Sequence, residues 1–455
     1  MQLPSYVAKI LDMLENAGHE AYIVGGCVRD SLMGNPPHDY DVTTSALPEE
    51  TERVFSGMRL IETGLKHGTV TVISDGNPVE ITTYRVDGEY HDSRRPDCVS
   101  FTRSLKEDIA RRDFTVNGIA YSPRRGMCDC FGGAEDIRRC VIRCIGEPQK
   151  RFHEDALRIL RGLRFSASLG FGIEESTAAA MLDSRSLLLN ISSERIFSEL
   201  SGMLTGRESW HNIRRVMSVY REIFAEIIPE FKQCFDFAQH SKYHCLDVYE
   251  HCVCAAENAA LISRSSDNAL PLTLSMLLHD IGKPQRFSLD ENGEGHFYGH
   301  AEVSAQTADA ILRRLKCSAA LRERVCRTIK YHDIPLPESD KALRRLLSKH
   351  GKQAAQDIAM AHIADNMAQN PEYRERCAKW RTVLERMQTL SEECCLNAKQ
   401  LAVDGKALSG IVPPSPLMGE VLKYLLDGVV DGAFPNERDF LLQEAEKYVA
   451  NKQTM

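Results

Sequence analysis

The chain has 455 residues, of which 43% are hydrophobic and 26% are charged. This length exceeds what one hydrophobic core normally organises, so we expect two to four domains of an ordinary soluble protein. The net charge of −8 argues against a surface that is basic throughout and binds nucleic acid indiscriminately, although it leaves room for a local basic groove.

The cysteines and the N-terminal sequence indicate in which cellular compartment the protein works. Fifteen cysteines, an odd number without a CxxC pair, predict reduced thiols rather than a disulfide framework. Cys128 with Cys130, and Cys252 with Cys254, lack the two-residue gap usual in zinc sites, so we interpret them as packing residues. The N-terminus lacks a basic segment followed by an apolar one, and the longest apolar run, near Leu270 to Leu278, is too short for a bilayer. We therefore expect a cytoplasmic protein without membrane association.

The stretch from Tyr22 to Thr44 predicts a strand, a turn, a short helix and a second strand. The first strand ends at Val24, the turn is Gly25-Gly26, and the helix begins near Cys27. Residues without a Cβ let backbone N–H groups approach a triphosphate at a helix N-terminus. The turn therefore predicts a phosphate-binding element.

Asp39 and Asp41 lie two residues apart on the second predicted strand. Side chains alternate between the faces of a strand, so we expect both carboxylates to point the same way and to hold divalent cations. Mg²⁺ prefers carboxylate oxygens and substrate phosphates, which suits phosphoryl or nucleotidyl transfer. Arg29 adds a positive charge in the preceding helix.

The string GGCVRDSLMGNPPHDYDVTTSALPEE resembles the first motif of the class II tRNA nucleotidyltransferases. This family contains the CCA-adding enzymes and the bacterial poly(A) polymerases. The resemblance implies an α+β head in which Asp39 and Asp41 bind Mg²⁺.

Further elements of the head follow in the sequence. We expect a helix over Pro4 to Ala17, a helix from Pro48 capped by Ser45, and a hairpin of two strands, Thr69 to Ser74 and Val79 to Tyr84. On the second hairpin strand, Glu80 is our candidate for a third catalytic carboxylate; a solvent-facing strand residue is an equally good interpretation.

The polar segment from Asp87 to Ser104 predicts a mobile loop that closes over substrate. It resembles the flexible loop that CCA-adding enzymes use when the incoming base changes from C to A. The residues that carry this likeness are Asp92, Arg94, Arg95 and Pro96. The resemblance implies addition of A as well as C.

The run from Arg111 to Asn117, RRDFTVN, places adjacent arginines beside an aspartate. Guanidinium groups grip phosphate bidentately, whereas a surface ion-pair cluster is the alternative interpretation. The run resembles the family motif RRDFTxN, which implies ribose and triphosphate contacts by Arg112, Asp113 and Asn117. Gly118 stands where the family usually has alanine, which we expect to alter backbone freedom only.

The segment from Arg151 to Leu169 predicts one amphipathic helix with Glu154, Arg158, Arg161 and Phe165 on a single face. Taken alone, this pattern is typical of a helix with a salt-bridged surface. The EDxxR string resembles the family's nucleotide-selecting motif, which implies that Asp155 and Arg158 read the base, that Glu154 orients them and that Arg161 lies in the same site. A carboxylate accepts from the exocyclic amine of C and A, and an arginine donates to ring acceptors.

The segment from Ile191 to Ile196 resembles the last motif of the family between head and neck. Ser192 or Ser193 would cap its helix. For Arg195 we favour a structural ion pair over a contact with primer phosphate.

A second set of residues resembles the HD phosphohydrolase superfamily. The resemblance implies that His251, His279, Asp280 and Asp365 bind a metal, and that His300 and His332 complete a second metal site or contact phosphate. Imidazole and carboxylate ligands suit Ni²⁺, Mn²⁺, Fe²⁺ or Mg²⁺, and metal-bound water attacks phosphate esters. A phosphohydrolase or 2′,3′-cyclic phosphodiesterase activity is implied.

We expect an α+β head with a mixed sheet over residues 1–145, followed by a mainly α neck over 146–235, an HD domain over 240–370 and a tRNA-binding tail over 371–455. The implied function is addition of C, C and A to the tRNA 3′ end from CTP and ATP. Alternatives are a poly(A) polymerase, an enzyme that adds only A, and an RNA-binding HD protein with an inert head. The oligomeric state stays open.

Overall fold

The computed structural model describes residues 1–64, 68–88, 99–206, 209–264 and 266–453. The chain divides into two compact units, Met1–Pro229 and Glu230–Met455. The predicted division into four domains stays a prediction.

The first unit combines one large sheet with short helices. Its helices are α1 Ser5–Asn16, α2 Gly26–Leu32, α3 Pro48–Val54, α4 Leu105–Ala110, α5 Gly133–Arg138, α6 Pro148–Glu154, α7 Leu157–Leu169, α8 Glu175–Asp183, α9 Ser193–Thr205, α10 Ile213–Val219 and α11 Arg221–Ile227. Its strands are β1 Ala21–Val24, β2 Asp41–Thr44, β3 Arg59–Gly64, β4 Thr69–Ser74, β5 Asn77–Thr83, β6 Arg85–Asp87, β7 Val99–Phe101, β8 Ile119–Ser122, β9 Gly126–Asp129, β10 Val141–Ile142 and β11 Gly172–Ile173.

The large sheet has seven strands in the order β3-β4-β5-β2-β1-β8-β9. It is mixed, because β2 runs parallel to β5 while β1 runs antiparallel to both β2 and β8. The expected hairpin joins β4 to β5, and its turn residues Asp75 and Gly76 both have positive φ, 48° and 82°, as a two-residue turn matched to strand twist requires. The mixed sheet with surrounding helices confirms the predicted α+β head.

Helix α1 covers the sheet with the apolar stripe that the sequence indicates. Val7, Ile10, Leu11 and Leu14 are its buried residues, as the 3.6-residue period requires. On the other side, α4 contributes Leu105 and Ile109 to a cluster with sheet residues such as Tyr22. The sheet is therefore packed by helices, and the carboxyl end of β1 is left to form a site.

Two local expectations are wrong in detail, and one strand was not expected. Asp39 lies before β2, which begins at Asp41, because the partner strand β1 ends at Val24 and offers no further pairing. Ser45 does not cap α3: its hydroxyl accepts from the Glu20 amide at 2.9 Å, and Leu47 occupies the N-cap position. The sequence also gave no sign of β3, which extends the sheet edge.

The predicted helix over Arg151 to Leu169 is two helices. Asp155 separates α6 from α7 with extended backbone angles, φ −142° and ψ 102°. Its carboxylate accepts from the Leu157 amide at 3.1 Å, which satisfies a donor that the new helix leaves unpaired. The break aims Asp155 away from the regular helical face.

The second unit is mainly helical, as expected. Its helices are α12 Val248–Ser263, α13 Ala269–Leu278, α14 His300–Arg314, α15 Ala319–Tyr331, α16 Asp340–His350, α17 Lys352–Ala368, α18 Arg376–Glu393, α19 Pro416–Val430 and α20 Arg438–Gln453. Two short strands, β12 Ser288–Leu289 and β13 Gly295–His296, form a hairpin. Within the described ranges, none of the helices combines the length and the apolar character that a membrane crossing needs.

Small residues let the central helices of this unit approach closely. Cys254, Ala255 and Ala259 of α12 pack against Ala361 and Ala364 of α17 in one buried cluster. Close packing of helices brings side chains from distant parts of the sequence together. This is how residues of α12, α13 and α17 come to share a site.

Candidate active site and metal centre

A cavity of about 380 Å³ opens in the first unit at the end of β1. Nine of the predicted site residues line it: Gly25, Gly26, Asp41, Arg112, Asp113, Asn117, Asp155, Arg158 and Arg161. Four others, Asp39, Glu80, Arg29 and Glu154, are absent from its lining. The residues Arg111, Leu157, Phe165 and Arg195 also line it, although they were not among the predicted ligand contacts.

The glycine turn needs its glycine. Gly25 has φ 84°, a conformation that side chains with a Cβ rarely adopt, and a Cβ at this position would lie 3.5 Å from the Arg112 guanidinium. The turn thus brings backbone next to a cationic side chain that lines the cavity. Both residues line the cavity.

The acidic residues meet across the parallel strand pair. Asp41 of β2 lies directly in register with Glu80 of β5, and both residues are exposed. Although Asp41 is accessible, loss of water around its carboxyl in the cleft, together with the charges of Asp39 and Glu80, raises its pKa to about 6 against the opposing charge of Arg112. Within the described ranges, these three carboxylates do not form a group with ligand atoms within 4.8 Å of one another.

Asp113 and Arg161 form a bidentate ion pair at the back of the cavity. The Nε and Nη2 atoms of Arg161 both lie 2.7 Å from Oδ2 of Asp113. Burial alone would raise the pKa of Asp113, but the charge and hydrogen bonds of Arg161 outweigh it and hold the pKa below its usual value. Asp113 is therefore ionised and fixed at neutral pH.

An aromatic ring organises the neighbouring arginines. The guanidinium carbons of Arg29, Arg161 and Arg164 lie 5.6, 5.4 and 4.5 Å from the centre of the Phe165 ring. Arg29 also donates to Oδ1 of Asn117 at 2.7 Å. Arg29 thus positions Asn117, which lines the cavity, and does not line it itself.

The predicted base readers are held by protein partners. Arg158 donates through Nη1 to Oε2 of Glu154 at 2.8 Å and through Nη2 to the main-chain oxygen of Arg111 at 3.2 Å. Asp155 accepts from Arg195 at 2.9 Å, which confirms the ion pair favoured for Arg195. Glu154 also pairs with Arg151, so it orients Arg158 from outside the cavity.

Helix α5 fixes the turn that carries Asn117. Asp129 accepts from the amides of Gly133 and Ala134 at 2.8 and 2.9 Å and so caps this helix. A Cβ on Gly133 would lie 2.1 Å from the Thr115 carbonyl oxygen, so only glycine lets the helix approach. Asp136 in turn accepts from the Thr115 hydroxyl at 2.6 Å.

Gly118 has a packing role rather than a conformational one. Its φ of −96° is accessible to any residue. A Cβ there would lie 2.8 Å from Ile145 Cδ1 and 3.3 Å from the Thr115 carbonyl oxygen. The expectation that glycine alters only backbone freedom is therefore wrong. The loop residues Asp92, Arg94, Arg95 and Pro96 lie outside the described residues.

In the second unit, the predicted HD residues converge. His251 lies 2.8 Å from Asp365 and 3.5 Å from Asp280, while His279 lies 3.1 Å from Asp280. On the other side of the same aspartate, His300 lies 3.2 Å from Asp280. His332 is 3.3 Å from His300. Two groups with metal-ligand spacing therefore share Asp280, namely His251 with His279 and His300 with His332.

The chemistry of this donor set fits divalent metal. Both oxygens of Asp280 and Nε2 of His279 are buried and make no hydrogen bond of good geometry among the described residues. Burial opposes ionisation of Asp280, but the charges of His279 and Lys283 hold its pKa well below the usual value. Buried anionic oxygens and an imidazole nitrogen that lie close together without hydrogen bonds of good geometry are what a cation would satisfy.

A cavity of about 260 Å³ opens onto these ligands. Sequence reasoning missed most of its other lining residues: His244, Lys283, Asp333, His362, Asn366, Gln369, Arg376 and Trp380. His244 joins His251 and Asp365 in a third group with ligand spacing. Burial and the charge of Lys283 lower the pKa of His244 to about 3, so its imidazole is neutral. The only sequence signal for Lys283 was its position three residues after Asp280.

Three protein families match parts of the chain. The poly A polymerase head domain matches residues 21–143, and the probable RNA and SrmB-binding site of polymerase A matches residues 170–235. A family described as tRNA nucleotidyltransferase domain 2, putative, matches residues 296–445. The sheet, its acidic strand pair and the cationic cavity define a nucleotidyltransferase head.

Three similar proteins indicate which kind of nucleotidyltransferase this is. The CCA-adding enzyme of Pediococcus pentosaceus is 32% identical over 441 residues, which cover 96% of each protein. The chain matches about half the length of the CCA-adding enzyme of Lacticaseibacillus paracasei, at 49% identity over 43% of this chain and 49% of that one. A crystal structure of the Bacillus stearothermophilus CCA-adding enzyme in complex with CTP covers 100% of both chains at a TM-score of 0.71 and 28% identity. The chain belongs to the family of CCA-adding enzymes.

Proposed function

We propose that the first unit adds C, C and A to the 3′ end of tRNA, using CTP and ATP and releasing pyrophosphate. The observation that carries this proposal is the cavity that unites Asp41, the Arg112-Asp113-Asn117 group and the Asp155-Arg158 pair. These three sets supply a carboxylate at the reaction centre, contacts for ribose and phosphate, and a reader for the base. The match to a relative solved with CTP supports the choice of substrate.

Asp41 with Asp39 and Glu80 would hold Mg²⁺. Loss of water around Asp41, together with the charges of Asp39 and Glu80, raises the pKa of this carboxyl, and a divalent cation would offset these like charges. When bound, Mg²⁺ makes a primer 3′-hydroxyl more acidic and neutralises pyrophosphate. Glu80 does not line the cavity. It would contribute to Mg²⁺ binding because it lies beside Asp41 on the neighbouring strand.

Base selection by Asp155 and Arg158 requires an exchange of partners. Asp155 gives up part of its pair with Arg195 to accept from the exocyclic amine of C or A, and Arg158 turns a donor from a protein oxygen to the base. G and U present the opposite pattern at these positions. A matching base leaves both side chains with hydrogen-bond partners, whereas a base with the opposite pattern leaves them without, and this difference favours C and A.

The test is nucleotide incorporation into tRNA that lacks its last three nucleotides. With CTP and ATP together, we expect products that end after three additions, and with CTP alone, products that end after two. ATP tails of indefinite length would instead select poly(A) synthesis, and addition of A only to tRNA ending in CC would select an A-adding enzyme. Tight tRNA binding without incorporation would select an RNA-binding protein with an inert head.

We further propose that the second unit hydrolyses phosphate esters with a divalent metal such as Ni²⁺, Mn²⁺, Fe²⁺ or Mg²⁺. The sharing of Asp280 between two groups of ligand side chains supports this second function. His251, His279, Asp280 and Asp365 would hold the main metal, with His300 and His332 on the second side of Asp280. A bound metal supplies an activated water for attack on phosphorus.

Metal binding itself tests this second proposal. We expect the full chain to bind Mn²⁺ in titration calorimetry, and His279→Ala to remove the binding component that belongs to the second unit, while the component from the carboxylates of the head stays. The matched control is His350→Ala, because His350 lies outside the cavity and contacts the Tyr331 ring. Equal Mn²⁺ binding by the two variants would refute the ligand assignment.

Partners and location follow from the same proposal. tRNA is the macromolecular partner, and CTP and ATP are the small substrates. The description probable RNA and SrmB-binding site for residues 170–235 supports an RNA contact by the neck region, and tRNA binding by the tail rests on the resemblance of its sequence. Fourteen free cysteines among the described residues support the cytoplasm, where thiols stay reduced.

A further inference from the structure

Arg376 is a cation without an acidic partner at the cavity of the second unit. It is exposed and lines the cavity together with Asp280 and Asp365. Lys283, the other cationic side chain of the lining, is already used, because its Nζ lies 2.6 Å from Asp280 and donates to Gln239 at 2.7 Å. In the described part of the chain, Arg376 has no ion pair or hydrogen bond from its side chain.

Two tyrosine rings hold the Arg376 guanidinium. Its central carbon lies 5.1 Å from the centre of the Tyr243 ring and 5.6 Å from that of Tyr373, and the two rings are 4.7 Å apart. A cation–π contact is made by the charge near the ring and uses none of the N–H groups in a hydrogen bond, so the donors of the guanidinium stay available. The donors are therefore positioned before any ligand arrives.

The tyrosine pair is itself fixed by the main chain. The Asn370 amide donates to the Tyr243 carbonyl at 2.8 Å, and the Tyr373 amide donates to the Asn370 carbonyl at 2.9 Å. These bonds join the segment before α12 to the turn before α18. A pre-organised cation loses little conformational freedom on binding, which increases affinity.

The position of Arg376 in its helix runs against the usual preference. It is the first residue of α18, and the first turn of this helix holds no acidic residue. A cation at the positive end of a helix is electrostatically unfavourable, whereas an anion there is favoured. The Arg376 side chain and the helix end both add positive potential at this side of the cavity, and the N-cap residue Glu375 offsets part of it.

The lining of the same cavity includes Asp280, whose buried oxygens make no hydrogen bond of good geometry although Lys283 pairs with one of them. A ligand that spans the cavity must be anionic at Arg376 and compatible with a metal at Asp280. A phosphate ester has this character, because its oxygens accept both from a guanidinium fork and from a divalent cation.

We propose that Arg376 is the anchor for the phosphate group of the ester that the second unit hydrolyses, held ready by Tyr243 and Tyr373. This inference rests on the proposed hydrolase function of the same cavity. The ligand class is a phosphate monoester or cyclic phosphodiester of a nucleoside, free or at an RNA end. Arg376 binds the substrate, and the metal ligands carry the chemistry.

The experiment uses the full-length protein loaded with Mn²⁺ and compares Arg376→Gln with Arg374→Gln. Arg374 is a matched control, because it is exposed in the adjacent turn, donates to the Gln369 carbonyl at 3.2 Å and does not line the cavity. Binding of inorganic phosphate is measured by titration calorimetry. We expect Arg376→Gln to weaken it about 10- to 100-fold, the usual loss for a charge-assisted hydrogen bond, while Arg374→Gln stays near wild type and both variants keep their Mn²⁺ affinity.

Hydrolysis of nucleoside 3′-monophosphates and 2′,3′-cyclic phosphates, free and at the end of a short RNA, gives the second readout. We expect KM to rise in Arg376→Gln and kcat to change little. If KM rises more for the free nucleotides than for the short RNA, the substrate is a free nucleotide; the reverse result identifies an RNA end.

Equal phosphate affinity in wild type and Arg376→Gln would overturn the inference and leave Arg376 a stacked surface residue. If wild type binds no Mn²⁺, the hydrolase proposal fails by itself, and the anchor is still judged by the phosphate affinities measured without metal.

Discussion

Replacing Asp113 with asparagine removes one charge from the back of the nucleotide cavity without changing its shape. In the native protein Asp113 is buried and accepts two contacts of 2.7 Å from Arg161. Breaking a fully buried ion pair costs about 3–5 kcal/mol. The Arg161 side chain is 35% exposed and keeps Glu199 at 3.8 Å, so we expect a smaller loss of unfolding free energy, about 1–3 kcal/mol.

The same variant changes how stability depends on pH. The folded-state pKa of Asp113 is lowered, so its stabilising contribution is complete above the unfolded-state pKa of about 3.9 and is lost as pH falls through the folded value. Asp113→Asn lacks this contribution at every pH. The difference in stability between wild type and variant should therefore be constant from pH 6 to 8 and shrink below about pH 4.

The assay is urea unfolding of the full chain at several pH values, with KM for CTP measured in parallel. Asp12→Asn is the matched control, because Asp12 pairs with Arg124 at 2.9 Å on the surface, where the two side chains are 59% and 47% exposed. We expect that variant to change unfolding free energy by less than about 1 kcal/mol. Equal effects of the two substitutions would refute the claim that burial makes the Asp113 pair matter.

Three further variants test how the cavity is built. Asp155→Asn should lower the preference for CTP over UTP by about 10-fold or more, because the amide can donate to a base carbonyl; unchanged selectivity in competition assays would contradict base reading by Asp155. Gly133→Ala should destabilise the protein by about 1–3 kcal/mol and raise KM for CTP, because its Cβ would lie 2.1 Å from the Thr115 oxygen. Gly57→Ala, with open space around its Cβ, is its control, and equal unfolding midpoints would argue against close packing at Gly133. Asp129→Ala should cost about 1 kcal/mol of unfolding free energy through loss of the α5 cap; an unchanged midpoint would exclude that role.

Much of the head could be predicted because its signals are local. Period-2 and period-3.6 patterns located the hairpin and the face of α1, and the strand pattern placed Glu80 on the second hairpin strand. Short-range turn chemistry fixed the Gly25 turn. These features depend on residues within a few positions of one another.

Other features depend on partners far away in sequence. The apolar spacing continues through Asp155, so periodicity cannot reveal the break that its side chain stabilises. Asp39 leaves the strand because β1 ends opposite Asp41, which only pairing determines. Arg376 meets Tyr243 through the packing of distant segments. No local pattern marks such a residue as part of a site.

The most direct test of the proposed transferase is the single-turnover rate of CTP incorporation by Asp41→Asn. Asparagine preserves the shape of the side chain and removes the anionic oxygen that would hold Mg²⁺ beside Glu80. We predict a rate at least about 1,000-fold below wild type at saturating CTP, since loss of a metal's charge stabilisation is worth several kcal/mol, with the unfolding midpoint unchanged. A rate close to that of wild type would contradict the role of Asp41 and the account built on it.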